Sequence, residues 1–95
     1  MTTLALINEN TLICENITLD DRPAEEISVP GYIVIDQEKT MYQVWKHDKN
    51  LNDWFLVDLE CGQGGIGDKY ENGALFNPVK PDPVVQPEAS GLQTL

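Results

Sequence analysis

The spacing of apolar and polar positions along this chain is strand-like nearly throughout. Leu4 to Ile7 and Leu12 to Leu19 are short apolar or β-branched stretches parted by Asn8-Glu9-Asn10, a cluster of turn formers, and they predict one strand or two short ones. From Thr18 to Ile27 an Asp precedes a Pro and then acids, as a single helical turn would, and Pro30 stops any helix at once. A loop or one turn is expected there. Between Gly31 and Asp58, Tyr32-Ile33-Val34-Ile35-Asp36, Met41-Tyr42-Gln43-Val44-Trp45-Lys46 and Trp54-Phe55-Leu56-Val57-Asp58 are rich in β-branched and aromatic residues and predict three strands. Their polar links, Gln37 to Thr40 and His47 to Asp53, are short enough to predict antiparallel neighbours in a β-meander.

Side chains alternate sides along a strand, so each predicted strand has two faces. Tyr32 and Val34 oppose Ile33 and Ile35; Tyr42 and Val44 oppose Met41 and Trp45; Phe55 and Val57 oppose Trp54 and Leu56. Both faces are apolar, which predicts a sheet covered on two sides. The N-terminal stretches can cover one. The second cover is either another chain, or the loop from 20 to 30 or the tail folding back.

Asn72-Gly73 is the dipeptide that best accepts the positive φ angles of a two-residue hairpin turn, so Asp68 to Glu71 and Ala74 to Phe76 predict a very short hairpin. Tyr70 and Phe76 flank it, as an aromatic pair, as anchors on another protein, or simply closing their own turn. From Asn77 onward Pro78, Pro81, Pro83 and Pro87 interrupt a short polar and Val-containing run, the composition of an extended polyproline-type arm that does not fold alone. The expected organisation is a small all-β domain over 1–76, a meander or sandwich-like module, with a C-terminal arm over 77–95.

Charge narrows the partners. Six Lys and Arg stand against 16 Asp and Glu in 95 residues, a formal net charge of -10, which repels phosphate backbones and anionic lipid and predicts no nucleic-acid and no membrane partner. No apolar run approaches the roughly 18 residues of a membrane span. The N-terminus has no basic region or cleavage site of a leader. Cys14 and Cys61 carry no metal, haem or redox spacing and predict reduced thiols, buried or half-buried, in a chain made in a reducing cytoplasm.

The motifs that could carry chemistry are weak. Gly62-Gln63-Gly64-Gly65-Ile66-Gly67 matches the dinucleotide-binding G-x-G-x-x-G and follows a predicted strand, but no helix opens within it and no second strand of a βαβ unit follows, which predicts a turn. His47 is the sole histidine, beside Lys46 and Asp48 at a strand end, and reads as solvated. Asp20-Asp21, Glu25-Glu26 and Asp58-x-Glu60 lack the calcium-loop pattern and read as solvated charge. Asn16-Ile17-Thr18 matches a glycosylation sequon, without meaning in an unexported chain, and Pro78-x-x-Pro81 is a minimal P-x-x-P of the kind any Pro-rich tail contains. The expectation is no enzyme and no catalytic, metal or cofactor-binding residue.

Gly65-Ile66-Gly67-Asp68-Lys69-Tyr70-Glu71-Asn72-Gly73, followed by Phe76 and Pro78, resembles a module recurring in tailed-bacteriophage proteins, notably tail-fibre assembly proteins and small fibre-associated proteins. The segments Tyr32 to Asp36, Tyr42 to Trp45 and Trp54 to Val57 are similar to the small β-meander of phage fibre and tail proteins. Tail-fibre assembly proteins of this kind continue past the Pro-rich stretch, where this sequence ends at Leu95. The resemblance implies a virion structural or accessory protein of the tail or fibre region, made in the host cytoplasm. It would act by association, as a homo-oligomer or within a hetero-assembly of tail, fibre or capsid proteins. The alternatives are a tail-fibre assembly chaperone, a capsid decoration protein, or an acidic inhibitor of a host protein. The candidate partner-binding residues are Tyr32, Tyr42, Trp45, Trp54, Tyr70, Phe76, Pro78, Pro81, Pro83, Val84 and Val85.

Overall fold

In a computed structural model, which describes residues 1–85, the N-terminal apolar stretches separate into two strands. They are β1 (Thr2–Asn8) and β2 (Cys14–Asp20), an antiparallel pair running from Thr2↔Asp20 to Ile7↔Cys14 with a bulge between Leu6 and Ile7. Asn8 makes the turn between them. Its side-chain oxygen accepts from Asn10 N at 2.8 Å and Thr11 N at 3.1 Å, while its carbonyl accepts from Leu12 N at 2.7 Å. Leu12 is left-handed at φ 62°, a conformation that disfavours a branched side chain but directs this one onto the core. The expected single turn is a 3-10 turn over Ala24–Glu26.

The class is all-β, as expected, but the three central strands do not form one meander. The strand β3 (Tyr32–Asp36) pairs antiparallel with β1, from Leu4↔Asp36 to Asn8↔Tyr32, giving a sheet of order β2-β1-β3. Then β4 (Met41–Asp48) and β5 (Asp53–Asp58) pair with each other in a second sheet. The link is why. Gln37–Lys39 winds into a 3-10 turn, fixed by Asp36 accepting from Glu38 N and by the Thr40 hydroxyl donating to the Asp36 carbonyl at 2.7 Å, and it carries the chain from one sheet to the other. The pairings Ala5↔Ile35 and Ile7↔Ile33 set β3 against two fully buried residues of β1 and leave β3 as the edge of that sheet.

The slot beside β4 is filled by β7 (Ala74–Phe76), which runs parallel to it from Met41↔Ala74 to Gln43↔Phe76. The predicted hairpin supplies it: β6 (Lys69–Glu71) and β7 close on Asn72 and Gly73, whose φ values of 54° and 78° are those a two-residue primed turn needs. The second sheet therefore has the mixed order β5-β4-β7-β6.

Main-chain bonds at one corner join the sheets. Cys14 N donates to the Asp68 carbonyl at 2.7 Å, Gly67 N to the Cys14 carbonyl at 2.8 Å and Tyr70 N to the Leu12 carbonyl at 2.8 Å. Between the sheets lies a core of Ala5, Ile7, Cys14 and Leu75, against which Leu12, Ile17, Ile35, Tyr42 and Tyr70 pack. Tyr42, Leu75 and Tyr70 lie directly opposite one another across the strands, so they share the inward face. Alternation then places Gln43, Trp45, His47 and Phe76 on the outward face.

Candidate functional site

That outward face is where the polar and aromatic groups converge. Trp45 and His47 are two apart on β4, and His47 lies directly opposite Trp54 on β5, so the three rings form one row. The His47 and Trp54 ring centroids are 5.0 Å apart, and Trp45 meets Phe76 edge to face at 6.3 Å. Asp48 organises the β4–β5 turn by accepting from Asn50 N at 2.8 Å and Leu51 N at 3.3 Å. Asn52 closes it at φ 47°, a left-handed angle that Asn tolerates better than most residues.

The Pro-rich arm lies across this row. Asn77 starts it with an Asx turn, its side-chain oxygen accepting from Val79 N at 2.9 Å, and its carbonyl accepts from Trp45 Nε1 at 2.9 Å. Further along, the Asp82 carbonyl accepts from Trp54 Nε1 at 2.9 Å. Asn52 pairs with both main-chain groups of Val84, accepting from its N–H at 3.0 Å and donating to its carbonyl at 3.2 Å. That pairing fixes which end of the Asn52 amide is oxygen. The ring nitrogen of His47, 2.9 Å from the same oxygen, must then carry the hydrogen: His47 donates from Nε2 and steadies Asn52. Lys80 Nζ adds an ion pair with Asp53 Oδ1 at 2.8 Å. The Lys80 ammonium, helped by the Trp54 N–H, holds the Asp53 carboxyl below the usual carboxylate range.

The recognition is of backbone. Both indole donors and the Asn52 amide grip main-chain groups of an extended segment, the mode by which aromatic grooves hold proline-rich peptides. Pro78, Pro81 and Pro83 suit the arm because they fix an extended path and carry no N–H needing a partner. Of the two expected sources of a second cover, the described part of the tail therefore supplies one. Residues 86–95 of the expected arm lie outside the described residues.

The expected partner-binding residues divide into distinct settings. Trp45, Trp54 and Phe76 meet around the arm, with Phe76 buried at 7% exposure and so spoken for within the fold. Tyr42 and Tyr70 turn inward, where burial and then the Asp68 charge push the Tyr42 hydroxyl pKa up. Tyr70 does not pair with Phe76; it faces Leu75 across the hairpin, while Phe76 pairs with Trp45. Tyr32 is half-buried in the other sheet, its hydroxyl donating to Glu15 at 2.8 Å, a bond that raises its pKa. Pro78, Pro83, Val84 and Val85 are exposed and Pro81 is half-buried.

Asn52, Asp53 and Lys80 were not among the expected site residues, and His47 is not simply solvated as expected but packed at a tilt against Trp54 and hydrogen-bonded. One signal could have pointed to them. Two tryptophans on neighbouring strands need acceptors for their indole N–H groups, and a Pro-rich segment downstream offers carbonyls with few competing donors.

Elsewhere the remaining sequence motifs take the following places. The Gly62–Gly67 loop leads into β6 without a helix, as the turn reading expected, and Asp68 ties it by accepting from Gly65 N at 2.7 Å. Gln37 Nε2 donates to the Gly64 carbonyl beneath it. Cys14 is buried, with its thiol pKa pushed up by burial, whereas Cys61 is exposed rather than buried or half-buried, since it stands in the loop beyond β5. Among the described residues no cavity opens and no three potential metal ligands cluster. No protein-family model, curated protein or solved structure matches this chain.

Proposed function

We propose that this chain is a structural or accessory component of a tailed-phage virion, in the tail or fibre region, acting by protein–protein association through its β-module and arm. The observation that carries the association half is the arm laid on the aromatic row. It is a recognition contact built from backbone acceptors and indole donors, and it presents Val79, Val84 and Val85 outward at 71%, 40% and 88% exposure. An extended segment held this way displays an apolar edge for a neighbouring protein while its prolines limit the entropy lost on docking. Leu51, 76% exposed beside Asn52, extends that edge. The virion half rests on the resemblance of residues 65–78 to phage fibre-associated proteins. With a net charge of -10, the fitting partner surface is basic.

Quantitative mass spectrometry of purified particles, with heads and tails separated, tests this. A fixed ratio to the fibre and tail proteins is the expected result. A fixed ratio in the head fraction would move the protein to capsid decoration. Absence from both would refute a virion component and leave an assembly chaperone or a host-directed inhibitor.

A further inference from the structure

The contacts that hold Pro78 to Val85 do not depend on the arm belonging to the same chain. Trp54 grips the Asp82 carbonyl, Asn52 grips both main-chain groups of Val84, and Asp53 pairs with Lys80. A second copy presents the same groups in the same order. Connectivity enters only at Asn77, whose carbonyl is tied to Trp45 immediately after β7 and whose Asx turn to Val79 sets the arm's direction.

We infer that the β4–β5 face is a recognition groove for an extended proline-bearing strand and that it accepts Pro78–Val85 from a second copy of this chain, the arms exchanging about Asn77. The inference rests on the association reading above and names one partner at that face; it does not depend on the phage setting. Three features favour exchange. Exposed hydrogen bonds and one surface ion pair are individually weak, so the arm releases readily. Pro78, Pro81 and Pro83 keep the released arm extended and ready to dock elsewhere. The vacated face exposes Trp54 and His47, leaving Asn52 held only by His47, and among the described residues no segment other than the arm is bonded to the Trp54 indole. Mass action decides between the two forms. A short tether sets an effective concentration on the order of millimolar, so dilute chains keep their own arms and chains crowded side by side trade them.

Charge complementation tests this on the full chain. In a Lys80→Asp chain the arm meets its own Asp53 with like charge, and in an Asp53→Lys chain the arm's Lys80 meets the new lysine. Each is mismatched within itself, and both faces become complementary only when the two variants exchange arms. The expected result on mixing is a 1:1 heterodimer by native mass spectrometry and sedimentation, at least about tenfold tighter than the self-association of either variant. The two indole N–H resonances should return toward their wild-type positions. The doubly substituted chain, D53K with K80D, restores the match within one molecule and should show wild-type indole signals as a monomer. Two unmixed monomers alongside a restored double variant would overturn the exchange while leaving association with other virion proteins standing. A double variant without restored signals would overturn it too, because the ion pair would not then guide the arm.

Discussion

Gly64 and Gly65 are neighbours in one loop, yet an added methyl group should have opposite effects at the two. A Cβ at Gly64 would sit 2.6 Å from Leu75 Cδ1 and 3.1 Å from Leu75 Cβ. Leu75 has no room to withdraw: it is fully buried in the core, and it belongs to the strand held between β4 and β6. Moving the loop instead would disturb the bond from Gln37 Nε2 to the Gly64 carbonyl, the anchor of a buried amide. Overpacking of this kind costs about 1–3 kcal/mol. For a domain of this size each kcal/mol shifts Tm by about 4–8 °C, so Gly64→Ala should lower Tm by roughly 5–20 °C. At Gly65 nothing lies within 4 Å of the added carbon and the φ angle is not left-handed. There the substitution only narrows the unfolded ensemble, and Gly65→Ala should be neutral or stabilising by up to about 1 kcal/mol. Differential scanning calorimetry of the two variants reads the contrast directly. Equal melting temperatures would refute the close approach of this loop to Leu75, and with it the account of why the glycines are there.

Asn52→Ala removes both bonds to Val84 and places Ala at φ 47°, so the far end of the arm should undock by about 1–3 kcal/mol, seen as a shift of the Trp54 indole resonance with that of Trp45 largely retained. Arm docking should also depend on acid. The Asp53 pKa is lower with the arm in place than without it, so the ion-pair contribution is complete above the ordinary carboxylate range and is lost as pH falls through the depressed value; Lys80→Ala should flatten that part of the indole titration. The same sign holds for Asp20, which Arg22 holds at about 2: its contribution is complete above the ordinary carboxylate range and should fade progressively as pH drops toward about 2, as an acid titration of stability against an Arg22→Ala variant would show. With a chromogenic thiol reagent near neutral pH, exposed Cys61 should react at once and Cys14 only as the fold opens; two fast thiols would contradict the buried position of Cys14.

What the sequence made legible was local. Asn72-Gly73 reads as a hairpin because positive φ at two successive positions is a property of those residues alone, and the strands near residues 32, 41 and 54 announce themselves by β-branched and aromatic runs. The outward position of Trp45 and the inward position of Tyr42 follow from alternation. Partner choice was less legible. A four-residue polar link between Asp36 and Met41 suits a hairpin as well as the 3-10 turn that occurs, and the composition of the link does not distinguish the two. The parallel pairing of β4 with β7 depends on three buried residues far along the chain and leaves no local trace. The arm's docking side was open for the same reason: indole donors announce a need for acceptors, not their address.

The position of β7 in the second sheet also sets an order of events. Its three residues sit between β4 and β6, yet they emerge from the ribosome long after Met41 and only just before the arm. The sheet of β1, β2 and β3 can assemble from the first 36 residues, whereas β4, which can pair with β5 at once, must wait for β7 on its other side, more than 30 residues away, the kind of closure that slows folding. Until then Tyr42 lacks Leu75, and Trp45 lacks both Phe76 and the carbonyl of Asn77. The arm can settle across the row only after synthesis has passed residue 84, so a docked arm certifies a finished second sheet, and a chain truncated earlier exposes its tryptophans to whatever quality-control machinery recognises them.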